Sequence, residues 1–205
     1  MRIEGTYSFP ARRAEVWAAL QDPEILSVTL PGVRRLEVVG PDRYALTALV
    51  GVGAVKGTYE GAFSIEDKRE LESCVLRGSG RGAPGSARVE ARVRLEDSDG
   101  GTVLLYEADA SVAGAVAGVG QRLISAAARK TTQEFLDAVA RALTSPPVPA
   151  GAAAGAEMRP AAGNGRVFAR PETPASAGAA FGRGVAVGFA LALAGVVVGR
   201  WSARR

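Results

Sequence analysis

The chain contains no histidine in 205 residues, one cysteine, and only 6% aromatic residues. Without histidine there is no Ser-His-Asp or Cys-His nucleophile pair, and the side chain that most often ligates transition metals is missing. A lone Cys74 excludes an intrachain disulfide and leaves a structural zinc site nothing to build on. Followed by Val75 and Leu76, it reads as a small buried hydrophobe on a strand. The opening Met1-Arg2-Ile3-Glu4 holds no apolar run of signal-peptide length, so the folded part is expected on the cytoplasmic side, in a reducing compartment. These gaps favour a binding module over an enzyme.

Charge is unevenly divided. Residues 1–143 carry 18 Lys+Arg and 19 Asp+Glu, a net of −1, whereas residues 144–205 carry 7 and 2, a net of +5. The high pI of about 9.6 therefore comes from a tail without aromatic-basic interleaving, which argues against nucleic acid. Basic residues beside a long apolar run more often meet anionic lipid.

Residues 2–9 alternate, with Ile3, Gly5, Tyr7 and Phe9 on one face, as a half-buried strand does. Val16, Trp17 and Leu20 then fall at helical spacing, and Asp22-Pro23 caps a second short helix expected to run to about Ser27. From 33 to 113 the pattern is all strand. Tyr44, Leu46, Ala48 and Val50 alternate with polar neighbours, as do Tyr59, Gly61, Phe63 and Ile65, then Ala87, Val89, Ala91, Val93 and Leu95, then Thr102, Leu104, Tyr106, Ala108 and Ala110. Turns at 40–42, 53, 68–71, 80–85 and 99–101 divide this stretch into about six strands, an antiparallel meander. Residues 115–143 return to a helical period, with Val116, Val119, Leu123, Ala127 and Lys130 expected as the buried stripe, flanked by Ile124, Thr131, Phe135, Val139 and Leu143. The expectation is an α+β fold in which about seven strands wrap a long closing helix.

The chain divides into three regions: a domain over 1–143, a disordered Pro/Ala/Gly linker over 144–180, and an apolar anchor over 181–205. Six of the 11 prolines fall in the linker. One island, Arg166-Val167-Phe168-Ala169-Arg170, is either a chance pair of apolar residues or a docking peptide. The uncharged run 184–199 includes Phe189, Leu191 and Leu193, is closed by Arg183 and Arg200, and has Phe181 and Trp201 near its ends. Sixteen helical residues rise about 24 Å against a hydrocarbon core of about 30 Å, so the run either spans with help from its flanks or inserts shallowly. It is the expected contact with membrane lipid.

The glycine-rich stretches 51–58 and 78–85 lack phosphate-loop order and lead into strands, so they read as turns and bulges. The inward residues Ala48, Gly61, Ala87, Ala91, Ala108 and Ala110 are small. A sheet curved around one helix with such residues either packs tightly or leaves an apolar hollow. For the hollow, the expected wall is Leu46, Val50, Tyr59, Phe63, Val89, Ala91, Val93, Leu104, Tyr106, Ala108, Leu123 and Ala127. The strand acids Glu60, Glu107 and Asp109 point outward by alternation.

Several motifs in order resemble one family. Pro10-Ala11 precedes Val16-Trp17-Ala18-Ala19-Leu20. Asp22-Pro23-Glu24-Ile25-Leu26 and Leu30-Pro31-Gly32-Val33 follow, then Val52-Gly53-Ala54-Val55-Lys56-Gly57, the 78–85 stretch, and Gly120-Gln121-Arg122-Leu123-Ile124. Over residues 1–143 the chain resembles the carbon monoxide dehydrogenase G-subunit family. The resemblance implies a START-like helix-grip fold with a hydrophobic pocket and no catalytic residues. It further implies partnership with a molybdenum hydroxylase of the carbon monoxide dehydrogenase type, recruited to the membrane. No covalent cofactor is expected, and a quinone is the implied pocket ligand. Ser86 departs from the bulkier aromatic expected after Pro84-Gly85. Two other readings stand beside it: an assembly factor for that enzyme without ligand carriage, and a cyclase or hydrolase of the helix-grip superfamily.

Overall fold

A computed structural model describes residues 1–144, 157–160 and 166–169. The alternating segments become β1 (Arg2–Phe9), β2 (Val33–Gly40), β3 (Arg43–Val52), β4 (Val55–Arg69), β5 (Ser73–Gly82), β6 (Gly85–Ser98) and β7 (Gly101–Ala113). Two short helices, α1 (Arg13–Ala19) and α2 (Pro23–Thr29), separate β1 from β2, and the long α3 (Gln121–Thr144) closes the domain. Asp22 caps α2 as its type predicts, its Oδ1 accepting from the Glu24 amide at 2.8 Å, with Pro23 in the first turn.

All strands are antiparallel in one sheet. Its order is β1-β7-β6-β5-β4-β3-β2, extended by β9 (Arg166–Ala169) and β8 (Glu157–Pro160). The inward faces anticipated from alternation are the buried ones: Tyr44, Leu46, Ala48 and Val50 on β3, and Ala87 through Leu95 at every second position on β6. The α+β reading therefore holds, with seven strands from the domain itself.

Two expectations need correction. First, β8 and β9 lie within the stretch expected as disordered linker, β9 on its apolar island. Phe168 sits opposite Leu36 of β2, and both side chains are buried, at 8% and 0% exposure. The physical reason is the outer edge of β2, whose backbone groups face no other strand of the domain. The apolar island docks within its own chain.

Second, the stripe expected on the closing helix is rotated. Ile124, Ala127, Ala128, Thr131, Thr132, Phe135, Leu136 and Val139 are the buried residues of α3, while Leu123 is 54% exposed and Lys130 is exposed. Val116 and Val119 belong to a separate 3₁₀ turn, Ala115–Val119, and Gly120, at φ 95°, breaks the path between the two. The helical phase restarts there, so a stripe carried through from Val116 lands on the wrong face.

Tyr7 on β1 donates to Asp137 Oδ1 on α3 at 2.8 Å and ties the edge of the sheet to the helix. Burial first, then the bond to the Asp137 carboxylate, push its phenol up to about 12. A pKa above the unfolded value of about 10 means the neutral phenol stabilises the fold, fully below pH 10. That contribution is lost as pH rises from 10 through 12. Unfolding titrations across this window are expected to show a smaller alkaline loss in Tyr7→Phe than in wild type. The loss does not vanish, because Tyr44, Tyr59 and Tyr106 are also raised by burial. Equal slopes for the two proteins would contradict the assignment.

Candidate ligand-binding hollow

Between the sheet, α3 and the two short helices lies an apolar cavity of about 50 Å³. Its sheet wall is Phe63 and Ile65 of β4, Cys74 and Leu76 of β5, Val93 and Leu95 of β6, and Leu104 and Tyr106 of β7. Thr132, Phe135 and Leu136 of α3 face them, and Trp17, Leu20, Gln21 and Leu26 close the end. The Tyr106 ring owes its seat to Gly5 on the paired strand, where an added Cβ would stand 2.5 Å from the Tyr106 hydroxyl.

No charged side chain lines the hollow, and its threonine and glutamine are engaged elsewhere. The Thr132 hydroxyl donates to the Ala128 carbonyl at 3.0 Å. The Gln21 amide donates to the Trp17 carbonyl at 3.0 Å and accepts from Lys68 Nζ at 3.2 Å. Burial pushes the Cys74 thiol up to about 11, so it stays protonated near neutrality and serves as an apolar wall atom. The Tyr106 phenol is likewise raised by burial, opposed by Arg129. A water site takes about 10–15 Å³ by this measure and needs polar partners, so this space is roomy but dry in character.

Of the expected wall, Phe63, Val93, Leu104 and Tyr106 line the hollow. Leu46, Val50, Tyr59, Val89, Ala91 and Ala108 are buried in the same core, away from the lining. Ala127 packs in a second cluster with Val52, Val116 and Ile124, and Leu123 faces outward. The residues not anticipated are Trp17, Leu20, Gln21 and Leu26 of the α1–α2 segment, Thr132, Phe135 and Leu136 of α3, and Ile65, Cys74, Leu76 and Leu95 of the strands. The helical spacing of Trp17 and Leu20 was the available signal for the roof. Glu60 and Asp109 are exposed, and Glu107 pairs with Arg2 on the outer face. Phe181, Arg183, Phe189, Leu191, Leu193, Arg200 and Trp201 lie outside the described residues. Among the described residues, no helix is long and apolar enough to cross a membrane.

A curved antiparallel sheet gripping one long helix over an uncharged hollow is the START-like arrangement. Solved structures agree. A conserved protein from Geobacillus kaustophilus is 30% identical, with a TM-score of 0.67 over 70% of this chain and 95% of its own. A START superfamily protein from Mycobacterium smegmatis is 13% identical, with a TM-score of 0.55 over 69% of this chain and 96% of its own. An aromatase/cyclase from a Streptomyces species is 16% identical, with a TM-score of 0.52 over 70% and 93%. The last two likenesses are of fold alone. No curated protein sequence matches the chain. The family model for the G subunit of carbon monoxide dehydrogenase (CoxG) matches residues 5–144. The chain belongs to this CoxG family.

Proposed function

We propose that this domain binds a hydrophobic, quinone-like ligand, and that residues 181–205 tether it to the cytoplasmic face of the membrane. It serves a molybdenum hydroxylase of the carbon monoxide dehydrogenase type, recruiting that enzyme to the membrane and coupling it to the quinone pool. The protein acts by binding and carriage, without catalysis of its own. The observation that carries this reading is the hollow itself: carbon-lined, uncharged, and placed between α3 and the two short helices. Family membership supplies the enzyme context.

Pockets for ligands of drug size are about 300–1,000 Å³, against about 50 Å³ here. A quinone ring therefore enters only as the roof yields. The roof is built from helices of seven residues each, α1 and α2, which suits it to that movement.

Trp17 in the wall supplies the test, since quinones quench indole fluorescence on contact. Full-length protein carrying Trp201→Phe, so that Trp17 is the sole tryptophan, is titrated with decylubiquinone. Saturable one-to-one quenching is expected. Quenching that stays linear in quinone, as for free tryptophan, counts against ligand carriage.

A further inference from the structure

The antiparallel meander sorts its turns to two ends, and the charge is sorted with them. At the end holding the β2–β3, β4–β5 and β6–β7 turns, residues 41–43, 66–72 and 94–100 carry eight acids and four basic residues. At the opposite end, residues 51–59, 78–89 and 110–130 carry six basic residues and no acid. The three segments meet there. The Val116 amide donates to the Pro84 carbonyl at 3.0 Å, and a Cβ on Gly57 would stand 2.5 Å from Pro84 Cγ. Val52, Val116 and Ile124 share one cluster, with Val55 and Val119 against it.

The surface of this end is unusual in both of its components. Ala54, Ala83, Ala115 and Ala117 are exposed, and Leu123 is 54% exposed. Around them Lys56, Arg81 and Arg122 are exposed and make no ion pair among the described residues. Small apolar groups ringed by free cations, with Glu60 opposite Arg81 as the first acid along the strands, match an interface where acyl chain meets anionic headgroup. Nucleic acid is a poorer match, because no aromatic is offered for stacking.

We propose that the end formed by the β3–β4 and β5–β6 tips and the 3₁₀ turn docks on an anionic lipid surface, turning the acidic end away from the bilayer. This deepens the membrane reading above, but rests on the folded domain rather than on the tail.

The test is binding of the full chain to vesicles of phosphatidylcholine alone and of phosphatidylcholine with phosphatidylglycerol. Wild type is expected to bind the anionic vesicles more tightly, with a gain that falls as salt is raised. Each basic residue near such a surface is worth about fivefold in affinity, so Lys56→Glu/Arg81→Glu/Arg122→Glu is expected to lose the gain by about a hundredfold or more. Asp67→Lys/Glu70→Lys, at the far end, is expected to leave it unchanged. A gain that the triple substitution leaves undiminished, or no gain in wild type, overturns the proposal, the basic tail supplying a remainder common to both proteins. So does a triple variant that keeps the gain and loses only the hydroxylase, which would make this end a protein-docking face. Binding to neutral vesicles reports on the tail alone, and its failure would sink the tether while leaving this end untouched.

Discussion

Val93→Phe is expected to abolish saturable quinone quenching while leaving the domain folded. Val93 stands in the hollow's wall, level with Cys74 on one neighbouring strand and Tyr106 on the other. Its side chain points inward, 8% exposed, so a ring at this position fills the free space first. Overpacking costs about 1–3 kcal/mol in a dense core, and a void of about 50 Å³ absorbs part of that here. The expected penalty is a fall in melting temperature of about 2–12 °C for a chain of this size. Phe135→Ala is the matching opposite change. It enlarges the hollow from the α3 side, costs about 3–5 kcal/mol in the free protein, and is expected to retain quinone and regain stability on binding it. Loss of binding in both variants in proportion to their destabilisation would mean that the effect is unfolding and not occlusion.

The pairing of those two residues also marks where sequence reasoning reached and where it stopped. Period-two alternation placed Val93, Leu104, Tyr106 and Phe63 inward because each β-strand residue has only two choices of face, and one face here is solvated. The hollow's position along the strands was not legible in the same way. Small inward residues suggested space, yet Ala48, Ala87, Ala91, Ala108 and Ala110 are all buried and none lines the cavity. Small inward side chains alone therefore do not mark the cavity. The remaining gap lies among Phe63, Leu95, Leu104, Tyr106 and Phe135, whose bulk meets the two roof helices. Predicting that required the placement of α1 and α2 against α3, a long-range fact that no local spacing carries. The rotated face of α3 has a more local cause, since Gly120 resets the phase and the resulting error falls on Leu123. The apolar run 184–199 lies outside the described residues, and its reading rests on composition.

Phe168→Ala is expected to free the tail strand without unfolding the domain. A buried phenylalanine cut to alanine costs about 3–5 kcal/mol where the surroundings cannot respond. Here they can. β9 pairs with β2 through only three residues, Val167 to Ala169, and 21 residues separate Arg166 from Thr144. The loss is therefore capped at the strand's own docking free energy, and a chain ending at Thr144 sets that cap. Hydrogen exchange at the β2 amides facing β9, and tryptic cleavage after Arg166, are expected to accelerate at least tenfold. The denaturation midpoint of Phe168→Ala is expected to lie between those of wild type and the truncated chain. Unchanged cleavage would mean that the ring contributes nothing to holding the strand. The consequence for the proposed tether is geometric. With β9 docked, 14 residues separate Ala169 from Gly184, an outstretched reach of at most about 50 Å. With β9 released, the free chain starts after Thr144 and its 39 residues reach at most about 140 Å. Under the proposed tether, a single aromatic side chain on the edge of the sheet thus sets whether the hollow is held beside the bilayer or ranges well beyond it.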